Sequence, residues 1–378
     1  MRVSAYLQPT RTYLPCTGVG RYINNILLTL SQRKGFEVEL LVSQEYLNQE
    51  GKLDQRCPLR ELDILSYPYK RLKTEWYWKL LGIPKMDRYT SNADCIYSPV
   101  AEYVPTNRNI PTVITLHDMH TLEKNLPWSQ SRGAKIERLK TLVWLPKAVR
   151  KADHICTVSY FSKSRIIEFF KIDPDKITVI GNGVDYRSFQ ENQNNQTSIT
   201  LPEKIREYPF VITIGGLRFK KGGSHILDVA RALEERQSSI QIVVVGANET
   251  YLAEEAKTLN NILLLGLVND QNLLSLIRSA NSLIFLSLYE GFGIPALEAM
   301  ASGIPAVLAN RASLPEIGGK AAILVEPEDS KGIADILIEL EQNSQLRENC
   351  IELGCERVKQ YTWNSCVDQL IDVLNSLS

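Results

Sequence analysis

Short apolar runs separated by glycine- and proline-rich turns recur along this chain. The run 283–288 is continuous and apolar, which predicts a parallel strand buried on both faces. Gly291-Phe292-Gly293 follows, and Pro295 stands where the first turn of a helix best tolerates proline. The helix predicted over 295–302 is followed by a glycine and a proline, and a new strand begins at Ala306.

The same alternation of strand and helix extends over most of the chain. Further strands are predicted at 2–7, 111–116, 153–159, 177–180, 210–216, 241–246 and 262–268. Helical spacing of apolar residues is found from Tyr22, over 132–151 and 273–280, and in an amphipathic segment from Tyr361 to the end. This alternation predicts an α/β protein built on parallel sheets.

The segment 283–309 also predicts an anion site. A glycine-rich loop that opens a helix directs backbone N–H groups towards whatever lies above it, and phosphate is a common occupant of such a site. Glu290 and Glu298 flank the loop. A carboxylate beside a phosphate is unfavourable unless it accepts hydrogen bonds from hydroxyls, so the ligand would carry central phosphates and polyols on both sides, as a nucleotide sugar does. Alternatively, Glu298 favours the helix dipole and Glu290 is merely solvated.

The segment Glu290-Gly291-Phe292-Gly293-Ile294-Pro295, with Glu298, closely resembles the donor-site motif of retaining glycosyltransferases of family 4. The resemblance implies a GT-B fold, in which two Rossmann-like domains face each other across a cleft and a C-terminal helix crosses back to the N-terminal domain. On this basis we expect an N-terminal acceptor domain at 1–189, a polar linker at 190–205, a nucleotide-sugar donor domain at 206–356 and the returning helix at 357–378.

Composition is that of an ordinary α/β protein, but its charge is unevenly distributed. The 378 residues are 44% hydrophobic and 23% charged, with a net charge of zero. Residues 1–195 contain 28 Lys and Arg against 20 Asp and Glu, a net charge of +8; residues 196–378 contain 15 against 23, a net charge of −8. A basic half facing an anionic partner would explain this asymmetry, as would two domains that attract each other.

Cysteine usage and hydropathy predict a cytoplasmic protein. The seven cysteines form no CxxC pair and their number is odd, which favours free thiols. The N-terminus lacks the apolar core of a signal peptide, and no apolar run approaches the ~20 residues of a membrane-spanning helix. Two basic segments, 70–88 with its aromatics and 132–151, could still place the protein peripherally on the inner face of a membrane. The alternative is solvated helices whose aromatics pack inward.

The first predicted strand leads to Thr17-Gly18-Val19-Gly20, a glycine-rich turn at a helix start. A dinucleotide fingerprint would need glycine where Ile23 stands, which argues against a nicotinamide dehydrogenase. In the resembled family this loop approaches the donor diphosphate, so Gly20 is the candidate for close backbone contact. The alternative is a simple helix-entry turn.

His117 follows the strand 111–116, at the end where open α/β sheets bind ligands. The resemblance places a histidine here near the reacting centre of the donor sugar. His117 and His120, in the run HDMH, could suggest a metal site, but no third ligand has suitable spacing. Asp173-Pro174-Asp175 is interpreted as a turn rather than a metal site, and 162–164 as a helix start that caps the helix or faces the acceptor.

The basic loop 218–221 follows the first strand of the second half and suits phosphates. The resembled family has an arginine directly after the first glycine of this strand and a lysine five residues later. Lys221 matches the lysine, but Gly216 occupies the arginine position, so Arg218 or Lys220 would substitute. The family also implies that the turn ending at Val268 packs on the nucleotide base.

The resemblance implies metal-independent, retaining transfer of a hexose. Lys221, Arg218 and the amides of Gly291, Phe292, Gly293 and Ile294 would neutralise the leaving diphosphate. Glu290 would bind sugar hydroxyls, Glu298 the ribose, and His117 the transition state or the far edge of the sugar. GDP-mannose is favoured over UDP-sugars, with no other cofactor; a glycan or lipid-linked glycan is the expected acceptor, and nucleic acid is not expected as a partner.

Two other functions remain open from the sequence. A sugar-nucleotide 2-epimerase of the same fold would make no glycosidic bond. A non-catalytic nucleotide-sugar-binding scaffold is the second, and the glycine at position 216 in place of arginine agrees with it.

Overall fold

The structure, a computed structural model, describes residues 1–13, 18–90, 92–106, 110–185, 205 and 207–377. The predicted linker, 190–205, lies outside the described residues except for Ile205. The chain divides into two compact units: Met1–Gly183 together with Trp363–Ser378, and Val184–Thr362.

The first unit contains a seven-stranded parallel sheet with the strand order β3-β2-β1-β4-β5-β6-β7. Its strands are β1 (Arg2–Tyr6), β2 (Glu37–Ser43), β3 (Asp63–Tyr67), β4 (Cys95–Ser98), β5 (Thr112–Leu116), β6 (His154–Thr157) and β7 (Ile177–Val179). Its helices are α1 (Thr10–Tyr13), α2 (Gly18–Ser31), α3 (Arg71–Leu80), α4 (Arg132–Lys151), α5 (Tyr160–Phe170) and, from the end of the chain, α13 (Trp363–Asn375).

The second unit contains a six-stranded parallel sheet with the order β10-β9-β8-β11-β12-β13. Its strands are β8 (Phe210–Ile214), β9 (Gln241–Val245), β10 (Ile262–Gly266), β11 (Ser282–Phe285), β12 (Ala306–Ala309) and β13 (Ala322–Val325). Its helices are α6 (Gly223–Glu235), α7 (Thr250–Ala256), α8 (Asp270–Ser279), α9 (Ile294–Ala301), α10 (Leu314–Gly318), α11 (Ser330–Gln342) and α12 (Ser344–Val358).

The strands are short and apolar because helices cover both faces of each sheet. Every residue of β4, β5, β9, β11 and β12 is buried, the pattern expected of a parallel sheet. Helices present one apolar stripe instead: α6 buries Ile226, Leu227, Ala230 and Leu233 against the second sheet. These two layered sheets and the returning helix confirm the GT-B fold predicted above.

The C-terminal helix α13 belongs to the first unit, where it packs on α2. The Trp363 ring stands edge-on to that of Tyr22, with centroids 6.3 Å apart. Arg33 forms an ion pair with Asp368 at 2.8 Å and donates a hydrogen bond to the Asn364 carbonyl at 3.1 Å. Ring packing and charge therefore both fix this helix on the N-terminal part of the chain.

In each sheet the strand order reverses direction at one place, between β1 and β4 in the first unit and between β8 and β11 in the second. Ligands of open α/β sheets bind outside the carboxyl ends of the strands at such a switch point. The loops that leave β8 and β11 are the basic loop and the glycine-rich loop singled out from the sequence. Topology thus brings both predicted phosphate loops to one crevice of the second unit.

The observed strands are shorter than the apolar runs suggest. Strand β11 ends at Phe285 rather than Leu288, because the chain turns there and the Leu288 amide donates to the Lys220 carbonyl at 3.1 Å. The helix α9 begins at Ile294, one residue before the predicted start. Among the described residues, no helix is both long and apolar enough to cross a membrane.

Candidate active site

The loop after β8 is shaped by two glycines with left-handed backbones. Gly215 and Gly216 have φ values of +114° and +76°, and both donate their N–H groups to the Val245 carbonyl, at 2.8 and 2.9 Å. The amide of Leu217 then donates to Asn248 Oδ1 at 2.7 Å. The loop is therefore tied to the end of β9 by its backbone.

No side chain fits at Gly216 in this conformation. A Cβ atom there would lie 2.1 Å from the Ala247 carbonyl oxygen and 2.6 Å from its carbon, both of them backbone atoms. Arginine at this position would therefore require the loop to move. Arg218, two residues on, is exposed, and Lys220 and Lys221 are half-buried.

The loops after β8 and β11 are pressed together. The Lys220 carbonyl accepts hydrogen bonds from the Leu288 amide at 3.1 Å and from the Ser287 hydroxyl at 3.3 Å. A Cβ atom on Gly222 would lie 2.1 Å from the Leu286 carbonyl oxygen. Glycine at 222 therefore allows the two loops to touch through their backbones, which fixes the position of Lys221.

Lys221 and Glu290 form an ion pair across these loops, joining residues 69 positions apart. The stem of Lys221 passes 3.5 Å from the position of a Cβ on Gly215, and its ammonium lies 5.6 Å from the Phe285 ring centroid. The side chains are 23% and 15% exposed, so the pair is largely sheltered but open to a ligand. Two predicted site residues are thus in direct contact.

Helix α9 starts at this pair, directly after Gly293, whose φ is +105°. An α-helix leaves its first N–H groups without intrahelical partners, so Gly293 and Ile294 stand at an anion-favouring end, directly after Gly291 and Phe292. The hydroxyl of Ser313, fully buried, lies 3.0 Å from the Glu290 carbonyl and 2.9 Å from that of Phe292.

A second layer supports this loop. The Phe292 ring packs edge-on to Tyr361, with centroids 5.8 Å apart. Arg357 donates to the hydroxyl of Tyr361 at 2.7 Å and to the carbonyls of Glu316 and Ile317 at 2.6 and 3.1 Å, at the end of α10. Arg357 was not identified as a support from the sequence, since only its long-range contacts reveal it.

The other predicted donor residues lie in the same unit. Glu298 is the fifth residue of α9, in its second turn rather than its first, and is buried. Val268 follows β10, half-buried, two residues after Gly266. They are placed at the carboxyl side of their sheet, and their contacts to a donor remain a prediction.

His117 and Gly20 lie together in the first unit. Gly20 is in the first turn of α2, and Tyr22 of the same helix packs edge-on to the His117 ring, with centroids 4.7 Å apart. Nε2 of His117 lies 2.9 Å from the Pro99 carbonyl, which can only accept, so Nε2 carries the proton. Burial lowers the pKa of His117, although the bond to Pro99 opposes the shift. The imidazole is then neutral, with Nδ1 as its acceptor.

The neighbouring Asp118 and His120 pair with each other. Asp118 Oδ1 lies 2.5 Å from His120 Nδ1 and accepts from its amide at 3.2 Å. Burial opposes ionisation of Asp118, but the hydrogen bonds and charge of His120 outweigh it and lower the pKa to about 2. Across the described ranges, no three His, Cys, Asp or Glu side chains converge as a metal site.

Two smaller predictions are settled by the backbone. Ser159 caps α5 by accepting from the Ser162 amide at 3.0 Å, so capping, one of the two alternatives for 162–164, is wrong. Ser162 instead donates to the His117 carbonyl at 3.3 Å. The other alternative, that 162–164 faces the acceptor, stays a prediction. Asp173 accepts from the Asp175 amide in a short 3-10 turn, as the turn interpretation predicted.

The basic helix α3 divides its aromatic residues. Trp78 is 1% exposed, as inward packing predicted, whereas Trp76 is 54% exposed. The buried side of α3 also carries Glu75, whose Oε1 accepts from Tyr6 at 2.5 Å and from Gln8 and Arg71 at 2.8 Å. This cluster lies at the carboxyl end of β1, and the sequence analysis did not identify it.

Two protein families match the chain. "Glycosyltransferase Family 4" matches residues 17–187 and "Glycosyl transferases group 1" matches residues 196–357. The two matched segments include the site residues of both units described above.

Curated relatives extend over nearly the whole chain. The O-antigen chain mannosyltransferase B of Escherichia coli is 26% identical over 96% of this chain and 97% of its own length. The MMP alpha-(1->4)-mannosyltransferase of Mycolicibacterium hassiacum is 26% identical over 99% of this chain and 97% of its own.

Solved structures share the fold. Sucrose-phosphate synthase from Thermosynechococcus elongatus superposes with a TM-score of 0.72 at 16% identity, covering 100% of this chain and 98% of its own. HepE from Anabaena, solved in complex with UDP and glucose, gives a TM-score of 0.67 at 19% identity and covers 100% of both chains. At these identities the likeness shows the fold alone.

Proposed function

Because this chain belongs to glycosyltransferase family 4 and has the GT-B fold, we propose that it is a retaining, metal-independent hexosyltransferase that uses a nucleotide sugar. The observation that carries the proposal is the Lys221–Glu290 pair at the switch point of the second sheet. A cation and a carboxylate side by side suit a ligand whose phosphates lie next to sugar hydroxyls.

The pair can serve a donor without being broken. An ammonium group has three donors and a carboxylate about four acceptor sites, and one contact between them uses only one of each. Lys221 would direct its remaining protons at the diphosphate while Glu290 accepts from sugar hydroxyls. The N–H groups of 291–294 at the start of α9 would share the charge that grows on the leaving diphosphate.

Gly216 determines how the second cation is supplied. Since a side chain at 216 would collide with the backbone of Ala247, the phosphate-binding arginine implied by the resemblance is absent for a steric reason. Arg218, exposed on the same loop, is the proposed substitute, with Lys220 as the alternative. The second unit would then act as the donor domain and the first as the acceptor domain.

In the first unit, we assign His117 the contact to the donor sugar. Its Nε2–H is engaged by Pro99, and its pKa is lowered by burial, so it would offer Nδ1 as an acceptor to a sugar hydroxyl. Gly20, buried in the first turn of α2 beside Tyr22, would allow close backbone approach to the diphosphate. No protein nucleophile is assigned, and retention would follow from attack on the face from which the diphosphate leaves.

GDP-mannose is the proposed donor and a glycan or lipid-linked glycan the proposed acceptor, in polysaccharide biosynthesis at the cytoplasmic side of a membrane. Relatives named as mannosyltransferases over nearly the full length favour mannose. The UDP complexes of HepE favour a UDP-sugar as the second candidate.

Thermal denaturation in the presence of nucleotides tests the donor. A ligand that binds the folded chain raises its Tm by mass action. We expect a shift with GDP and GDP-mannose; a shift with UDP alone would replace the mannosyl donor while leaving transfer in place. Release of a nucleoside diphosphate coupled to a new glycosidic bond, followed by mass spectrometry, separates transfer from 2-epimerisation and from binding without turnover.

A further inference from the structure

The helices α3 and α4 expose an unusual amount of apolar surface. Of the sixteen large hydrophobic side chains that are exposed among the described residues, ten lie in 72–83 and 136–143. On the surface of most monomeric proteins such residues are scattered singly, and a concentrated patch marks an interaction site. We call the following six side chains the α3–α4 face: Leu72, Trp76, Leu80, Ile136, Leu139 and Val143.

The α3–α4 face is one continuous surface because its two parts, the exposed side chains of α3 and those of α4, lie next to each other. Lys79 Nζ lies 4.8 Å from the Trp144 ring centroid, and Lys147 Nζ donates to the carbonyls of 78, 79 and 80 at 3.1 to 3.3 Å. Lys79 is three residues from Trp76, and Lys147 four from Val143, so each contact residue neighbours the exposed strip of its own helix.

Helix α3 is held with its apolar side outward by polar groups on its inner side. An amphipathic helix normally buries its apolar stripe. Here Glu75 is 5% exposed and bonded to Tyr6, Gln8 and Arg71, while Leu72, Trp76 and Leu80, at spacings of four, are 54% to 62% exposed. Trp78, 1% exposed, packs on the same inner side as Glu75, so the core contacts of α3 are made there and Trp76 is left at the surface.

The charge around the α3–α4 face selects its partner. Residues 70–88 and 132–151 together hold thirteen Lys and Arg against three Asp and Glu, a net charge of +10 in a chain whose net charge is zero. One of those three acids is Glu75, which is buried. An apolar strip with an exposed tryptophan, surrounded by cations, matches the boundary between lipid headgroups and acyl chains.

A second copy of the chain fits this surface poorly. In a two-fold dimer the same patch faces itself, so its positive charges would be brought together. We propose that the α3–α4 face docks the protein peripherally on an anionic lipid bilayer, with Trp76, Leu80 and Leu139 inserted and the surrounding lysines at the headgroups. Membrane docking adds a binding surface to the proposed function. It rests on that function only in that the acceptor is proposed to be lipid-linked.

Sedimentation of the full chain with vesicles tests this docking. We expect binding to phosphatidylcholine vesicles that contain phosphatidylglycerol, little binding to phosphatidylcholine alone, and weakening with salt, because exposed charges are screened. Trp76→Ser/Leu80→Ser should abolish binding. Lys73→Glu/Lys140→Glu should reduce it at least fivefold per lysine, the fold-change that corresponds to ~1 kcal/mol for each cation near the surface.

Matched variants in the second unit control for general effects. Tyr251 and Leu353 are exposed, so Tyr251→Ser/Leu353→Ser removes comparable apolar groups away from the face, and Lys257→Glu/Lys331→Glu makes the same charge change there. These should bind vesicles as the wild type does, and the Tm of every variant should stay unchanged.

Three results would overturn the docking proposal. They are absence of binding to anionic vesicles at low salt, unchanged binding of the Trp76→Ser/Leu80→Ser variant, and a fall from dimer to monomer mass in that variant, which would make the face a contact between copies. Nucleotide thermal shifts on the same samples keep the proposals apart. A retained shift without vesicle binding refutes only the docking, and the reverse refutes only the donor site.

Discussion

The two sheets of this protein reverse their strand order at equivalent places, but the polar groups at the two switch points differ. Between β8 and β11, Lys221 and Glu290 form one ion pair, 23% and 15% exposed, in a frame of closely packed glycines. At the end of β1, Glu75 is 5% exposed and accepts three hydrogen bonds from Tyr6, Gln8 and Arg71. Glu290 has one described partner within the protein, whereas Glu75 accepts from three internal donors through one oxygen, Oε1.

Topology and side chains make different contributions to the two switch points. A parallel sheet supplies a crevice wherever its order reverses. Whether that crevice can bind a ligand depends on how many partners the protein itself gives to the polar groups there. A carboxylate that accepts hydrogen bonds from three donors of the protein stabilises the structure, as Glu75 stabilises the position of α3. A carboxylate with one such partner can exchange that partner for a ligand or bind both.

The largest expected effect is on transfer, at Glu290. Glu290→Ala should lower the rate of hexose transfer at least ~100-fold, comparable to losing one transition-state hydrogen bond in an enclosed site. The unfolding free energy should change by only about 1 kcal/mol, because Lys221, 23% exposed, can be solvated once Glu290 is removed. Steady-state turnover and denaturant unfolding measure the two effects.

A charge exchange is the control for Glu290. Lys221→Glu/Glu290→Lys restores an ion pair between the loops but reverses the charges offered to phosphates and hydroxyls. We expect near wild-type Tm without transfer. Recovery of transfer in this double variant would show that the pair acts only as a structural tie.

Next in size is the loss of stability at Glu75. Glu75→Ala would leave Arg71 and the Tyr6 hydroxyl buried without their shared acceptor, which costs about 3–5 kcal/mol for a buried pair. Urea unfolding of Glu75→Ala and of Glu290→Ala should show a clearly larger loss of unfolding free energy for Glu75→Ala. Equal losses would remove the distinction drawn between the two carboxylates.

A smaller effect is expected at Gly216. Gly216→Ala and Gly216→Arg should each destabilise the protein by about 2–4 kcal/mol, because a left-handed backbone and a clash with Ala247 act together. Gly51→Ala is the control: its φ is +73°, but nothing lies within 4 Å of its Cβ, so about 1 kcal/mol is expected. If Gly216→Arg instead strengthens donor binding with an unchanged Tm, the steric account of the absent arginine is wrong.

A pH dependence, rather than a fixed loss of stability, is expected from Glu102. Burial raises the pKa of Glu102 to about 8 despite Lys79 at 3.2 Å, against 4.5 when unfolded. Protonated Glu102 therefore contributes stability that is complete below 4.5 and is lost as the pH rises through about 8. Glu102→Gln should flatten this decline.

Comparing Glu102→Gln with the wild type separates the pH-dependent stability due to Glu102 from that due to the histidines. Burial lowers the pKa of His117 and of His154, so their contribution has the opposite sign and is lost as the pH falls below 6.5. Denaturant unfolding across this range, plotted as wild type minus Glu102→Gln, cancels the histidines. A flat difference plot would contradict the raised pKa.

The sequence predicted the elements around the second switch point well, because local rules govern them. The apolar run before Ser287, the glycines 291 and 293 and Pro295 fix strand, loop and helix start within a few residues. The ion pair of Lys221 with Glu290 was beyond the sequence, since it joins loops 69 residues apart. The steric exclusion of a side chain at Gly216 was also beyond the sequence, because it depends on the backbone of Ala247 in the connection after β9.

Helix α3 shows why periodicity alone can mislead. Leu72, Trp76 and Leu80 recur at a spacing of four, which ordinarily marks the buried side. The structure buries Thr74, Glu75 and Trp78 instead. The side that faces inward is the one whose Glu75 and Trp78 find partners in Tyr6 of β1 and in Gln8 just after it, some seventy residues earlier.

The return of α13 to the first unit has a consequence for how the chain is made. Domains generally fold as units during synthesis, the N-terminal one first. Here the first unit lacks Trp363 and Asp368, its partners for Tyr22 and Arg33, until residues 363–375 have been synthesised. The second unit, 184–362, is complete in sequence before the first. The unit whose strands are synthesised first is therefore the one whose sequence is completed last, and a truncation that removes α13 would damage that unit.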